Sequence, residues 1–128
     1  SQNEAPKAPG MKYKHYAPDA PMRAFIGNSK DVAEAFNNVI REQESKRGAF
    51  LVSQETYELL KDSVHGEFHV YGHSGDAVAL AHDFYKTLHH FNECDVDYIL
   101  AEGVENTGLG VAVMNRMEKA CAGHIIYL

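Results

Sequence analysis

The sequence predicts an α/β fold: a three-layer, doubly wound (Rossmann-like) sheet of five mainly parallel strands with helices on both faces. Three observations lead there. From Met22 onward, short apolar runs alternate with amphipathic segments. Every connection between successive runs is long enough for a crossover, which parallel neighbours require. Right-handed crossovers on an unknotted chain then leave doubly wound orders as the natural arrangement, although periodicity does not choose among the strand orders.

The elements follow in sequence. Residues 22–26 read as a first strand, closed by Gly27 and Asn28. Ser29 is placed to cap a helix over residues 30–46, whose Val32, Ala35, Phe36, Val39 and Ile40 share one face. A second strand spans 49–53 and a short helix 55–61; a third strand spans 67–71, ended by Gly72. Gly75 and Asp76 open a long helix to residue 93, with Ala77, Leu80, Ala81, Phe84, Leu88 and Phe91 inward. The fourth strand is 97–101. A glycine-rich turn over 103–110 leads to a last helix, 111–122, which Gly123 ends before a fifth strand at 124–128.

Residues 1–21 differ in kind. All four prolines of the protein, Pro6, Pro9, Pro18 and Pro21, fall there. Such a stretch favours extended backbone and denies regular ladders, so it reads as a linker or arm preceding a domain of residues 22–128. The 128 residues fit one domain, and 45% hydrophobic content promises a real core. A net charge of −6 argues against direct nucleic-acid binding by the domain. No apolar run approaches the roughly 20 residues of a membrane span. The polar start shows no signal peptide, so a cytoplasmic location is expected. Cys94 and Cys121 lack C-x-x-C spacing and read as reduced thiols.

In such folds ligands gather at the carboxyl ends of the strands, here the loops at 27–29, 53–55, 72–76 and 102–110. Gly72 and Gly75 surround His73 and Ser74 ahead of a helix, where backbone N–H groups suit an anion; equally, the glycines make the turn and Asp76 caps the helix. Gly108-Leu109-Gly110 falls short of G-x-G-x-x-G and follows the fourth strand, a weak dinucleotide signal. No phosphate-binding P-loop or nucleophile elbow occurs. His65, His69 and His73 recur every four residues but span a strand and its turns, so they do not converge on a metal. His82-Asp83 and Asp95/Asp97 read as solvated groups. No catalytic residue, resident cofactor or metal is expected, and nothing pairs a nucleophile with a base.

The arm is the unusual part. Lys12, Tyr13, Lys14, His15 and Tyr16 interleave cations with aromatics, a combination that suits phosphates and a base, or one that packs its tyrosines onto its own domain. The segment Pro9-Gly10-Met11-Lys12-Tyr13-Lys14-His15-Tyr16-Ala17-Pro18 resembles the interdomain linker of two-domain L-threonylcarbamoyladenylate synthases. Ile99-Leu100-Ala101-Glu102, with Gly108-Leu109-Gly110 through Asn115-Arg116-Met117, is similar to a second motif of that family. The resemblance covers residues 9–128. It implies a parent nucleotidyltransferase that makes threonylcarbamoyl-AMP from threonine, bicarbonate and ATP (with Mg) for tRNA modification.

In that family a YrdC-type N-terminal domain carries the catalysis, and the linker gates its nucleotide pocket. The resemblance therefore implies that this chain is an excised accessory domain, inactive alone, whose partners are the catalytic domain and ATP or threonylcarbamoyl-AMP at the linker. The matching linker positions are Lys12, Tyr13, Lys14, His15 and Tyr16. Lys14 replaces the usual arginine, which keeps the charge and loses a bidentate fork; Ala8 replaces the usual serine. Asn115 and Arg116 match the second motif, with loop, domain-packing and ligand roles all open. The alternative from the residues alone is an independent nucleotide- or anion-binding α/β module.

Overall fold

The computed structural model describes residues 17–128. Five strands and four helices alternate: β1 (Met22–Ile26), α1 (Ser29–Glu42), β2 (Gly48–Val52), α2 (Gln54–Leu60), β3 (Glu67–Val70), α3 (Ala77–Glu93), β4 (Tyr98–Glu102), α4 (Gly110–Ala120) and β5 (Ile125–Tyr127). The sheet order is β3-β2-β4-β1-β5 and every pairing is parallel. The predicted doubly wound, three-layer fold is therefore the observed one.

Side chains of the central strands alternate between two buried layers, because successive residues of a strand point to opposite faces. Met22, Ala24, Ala49, Leu51, Ile99 and Ala101 join Leu80, Phe84, Phe91, Val113 and Met117 beneath α3 and α4. Phe25, Phe50, Val52, Tyr98 and Leu100 join Val32, Phe36 and Leu60 beneath α1 and α2. Phe50 is the hub of the second layer, with ring centroids 4.9 Å from Phe68 and 6.1 Å from both Phe36 and Tyr98.

Local chemistry moves several boundaries. Asn28, not Ser29, caps α1: it holds the extended conformation and its Oδ1 accepts from the Asp31 N–H at 2.8 Å. The helix stops at Glu42, where the Gln43 N–H is shared between the carbonyls of Val39 and Ile40. Ser53 leaves β2 to cap α2, its Oγ accepting from the Thr56 N–H at 3.2 Å. Asp97 precedes β4 and pairs both its N–H and its carboxylate with Arg47. On α3, Ala81 is exposed and Thr87 is buried in its place. The chain enters the sheet at Pro21, whose carbonyl accepts from Ile99; just before it, the Asp19 N–H donates to Asn92 Oδ1.

Asp83, read from sequence as solvated, instead ties α3 to the edge strand. Its Oδ2 lies 2.7 Å from His69 Nε2 on β3, and its Oδ1 lies 2.8 Å from His82 Nδ1. The hydrogen bond from His69, seconded by His82, holds the Asp83 carboxyl below its ordinary value. A depressed folded value stabilises the fold above the unfolded value of about 3.9 and is lost as pH falls through the folded one. We therefore expect Asp83→Asn to be less stable than wild type at pH 6, with the gap closing below about pH 4. Thermal melts across that range check it; a gap that stays constant to pH 3 would refute the linkage.

Candidate functional site

The carboxyl ends of β1 and β4 carry loops that leave toward opposite faces, and a cleft of about 870 Å³ opens there. Three of the four loops singled out in the sequence meet in it: Gly27 and Asn28 after β1, Ser74 to Asp76 before α3, and Gly103 to Gly110 after β4. Tyr127 and Leu128 close the side next to β5. Val78, Leu109, Tyr127 and Leu128 line this cleft with more than half of each side chain exposed, at 61%, 78%, 60% and 52%. Its polar lining is Asn28, Ser74, Asp76, Glu105 and Thr107; among the described residues no lysine, arginine or histidine lines it.

The remaining loop, 53–55, explains why the Gly72–Gly75 turn does not offer itself to an anion. Glu55 Oε1 already accepts from the Ser74 N–H at 2.9 Å, and its Oε2 lies 3.2 Å from His73 Nδ1. The Ser74 N–H, with lesser help from His73, holds the Glu55 carboxyl below its ordinary value. Asp76 Oδ1 accepts from the Ala79 N–H at 3.0 Å and caps α3. Two carboxylates thus take the Ser74 and Ala79 N–H groups, and a third anion would meet like charge. Gly72 makes the turn possible: its φ is +153° and an added Cβ would sit 3.0 Å from Ala79 Cβ.

Beneath the loops lies a buried acid that the sequence reading did not mark. Glu102 ends β4 at 1% exposure, and its Oε1 accepts from the Ser53 N–H at 2.8 Å. This is the glutamate of Ile99-Leu100-Ala101-Glu102; its placement gives the motif a structural task, holding the β2–α2 turn against the central strand. Tyr71 sits nearby with a buried hydroxyl lacking a partner among the described residues. Burial first, then the charge of Glu102, pushes its phenol up.

Of the predicted site residues, Gly75 lines the cleft and Gly72 supports it, whereas Asn115 and Arg116 lie exposed on α4 outside the lining. Lys12, Tyr13, Lys14, His15 and Tyr16 lie outside the described residues. His65 and His89 are exposed, and His69 and His73 each face a carboxylate. One nucleophile–base contact corrects the sequence reading: Cys94 Sγ lies 3.5 Å from His90 Nε2 at the far end of α3. Burial and then Glu67 push that thiol up, which opposes a thiolate nucleophile. Among the described residues no helix is long and apolar enough to cross a membrane.

These features define a doubly wound α/β domain whose switch-point cleft mixes exposed apolar side chains with polar and acidic ones and, among the described residues, has no nucleophile–base pair in its lining. The family profile described as threonylcarbamoyl-AMP synthase, C-terminal domain, matches residues 1–122. The chain belongs to that family. It is 37% identical to the threonylcarbamoyl-AMP synthase of Bacillus subtilis over 98% of its own length and 35% of the relative's. Among solved structures, Pyrococcus abyssi Sua5 complexed with L-threonine superposes with a TM-score of 0.74 at 35% identity, over 98% of this chain and 35% of that one. An isolated C-terminal Sua5 domain from Pyrococcus horikoshii is matched over 88% of this chain and its whole length, with 29% identity and a TM-score of 0.61. The chain thus spans about a third of the full-length relatives.

Proposed function

We propose that this chain is the accessory domain and interdomain arm of a threonylcarbamoyl-AMP synthase, a nucleotidyltransferase using threonine, bicarbonate and ATP (with Mg) in tRNA threonylcarbamoyladenosine formation. The observation that carries this reading is the match of residues 1–122 to the family's C-terminal domain. In this division of labour a YrdC-type N-terminal domain of the same polypeptide performs the chemistry, and the chain has no turnover by itself. Residues 22–128 form the body, and residues 1–21 the arm.

The arm's Lys12, Lys14 and His15 meet phosphate oxygens, while Tyr13 and Tyr16 pack over the nucleotide or its threonylcarbamoyl adduct. Closing the pocket keeps water from a labile acyl-phosphate linkage. The body's contribution is a mounting: an exposed apolar rim at Val78, Leu109, Tyr127 and Leu128 suits cover by another domain better than solvent. The alternative of an independent anion-binding module is disfavoured by the two carboxylates, Asp76 and Glu105, among the described residues that line the cleft.

In the full-length enzyme, deletion of residues 9–18 is expected to lower turnover or release intermediate to hydrolysis. The loss expected is on the order of the 10²–10⁴-fold that misplaced catalytic geometry costs. Steady-state assays with a trap for free intermediate read it out. Wild-type kinetics in the deletion would remove the gating reading while leaving the family assignment intact.

A further inference from the structure

At the end of the sheet opposite the cleft, three donors of different chemistry converge. His90 lies in the last turn of α3 and Cys94 is its C-cap, four residues on, so the two side chains share one helix face. Glu67 opens β3, the edge strand beside them. One ligand atom from each of the three lies within 4.8 Å of the others. The donors come from segments 23 residues apart, brought together by the α3 crossover.

We propose that Glu67, His90 and Cys94 form a binding site for a zinc-class divalent ion. The distances carry the assignment. In a tetrahedral zinc site, a thiolate at about 2.3 Å and an imidazole nitrogen at about 2.0 Å from the metal lie roughly 3.5 Å apart. Cys94 Sγ and His90 Nε2 stand 3.5 Å apart. A hydrogen bond to sulfur would serve the same separation, but it gives no reason for a carboxylate to join the pair. The donor set is selective as well: one soft sulfur, one imidazole and one carboxylate favour zinc over magnesium or calcium, which take oxygen shells.

Three protein ligands leave a fourth position for water. The competing contact is Arg47 Nη2 to Glu67 Oε1 at 3.7 Å, an exposed ion pair with side chains 63% and 40% accessible. Exposed pairs of this kind hold weakly in water, so an entering metal displaces the guanidinium readily. On binding, the Cys94 thiol proton leaves to solvent as the metal–sulfur bond forms. The consequence for the fold is a clip between the end of α3 and the start of β3, an edge strand half-buried along its length. Asp19 is held by Asn92 on the same turn, so the clip sits where residues 17–21 join the body.

Cobalt(II) titration of the 128-residue chain, followed by absorbance, tests the assignment. A thiolate-to-cobalt band in the near-ultraviolet with tetrahedral visible bands is expected, and zinc should bleach both. Cys94→Ser should abolish the near-ultraviolet band, and Cys121→Ser should retain it. His90→Ala and Glu67→Gln should each weaken affinity by about tenfold or more. Melting curves with zinc should rise for wild type and stay put for Cys94→Ser, whose metal-free melt serves as the folding control. Absence of the band in wild type, or its survival in Cys94→Ser, overturns the site. An unchanged affinity in Glu67→Gln overturns the three-residue assignment.

Discussion

Gly110→Ala is expected to destabilise the domain by about 3 kcal/mol, the upper range for forced overpacking. A Cβ at this position would lie 2.0 Å from the Glu105 carbonyl oxygen and 3.2 Å from Val104 Cγ2. Backbone, not a flexible side-chain tip, stands in the way, so the turn after β4 must shift. The first of the two glycines makes a different demand. Gly108 adopts a φ of +53° with open space around it, so Gly108→Ala should cost only about 1 kcal/mol, the ordinary left-handed penalty. Urea unfolding of both variants separates the two reasons for the Gly108-Leu109-Gly110 motif. Equal costs at the two positions would show that the contact with Glu105 relaxes freely.

Glu102→Ala is expected to be comparably harmful, at about 3 kcal/mol. Part is the Ser53 N–H left without an acceptor in a buried setting, about 1–3 kcal/mol; part is the cavity left at a 1% exposed position. Glu102→Gln keeps an oxygen that can accept from Ser53 and should stay within about 1 kcal/mol of wild type. The paired control is Tyr71→Phe, which removes a buried hydroxyl lacking a partner among the described residues and should be neutral or slightly stabilising. If Glu102→Gln costs as much as Glu102→Ala, the negative charge itself is what the turn requires, and the hydrogen-bond account fails.

These residues mark where sequence reasoning reached the site and where it stopped. The cleft-forming loops were legible because glycine and cap signals are local: Gly27, Gly72, Gly75 and Gly110 punctuate the ends of apolar runs. The occupancy of the 72–76 turn was not legible, because Glu55 arrives from the preceding crossover and its spacing to Ser74 carries no periodic signal. Asp83 was misread for the same reason, since its main partner His69 lies on another element. For the metal-ligand cluster a partial signal existed, histidine and cysteine four residues apart at the end of a predicted helix. The carboxylate that completes it did not announce itself.

The amino-acid order alone determined the number and kind of elements, the burial of the sheet on both faces and the family likeness. Each of these depends on interactions within a few residues or on composition, which one dimension records. Tertiary structure decided the strand order β3-β2-β4-β1-β5, and with it every long-range partnership that matters here. All the crossovers are long enough to reach several neighbours, so connection length does not say which strand lies next. Packing of α1 with α2 on one face and α3 with α4 on the other resolves that choice. It places Glu102 under Ser53, Glu55 against Ser74, and Glu67 beside His90 and Cys94.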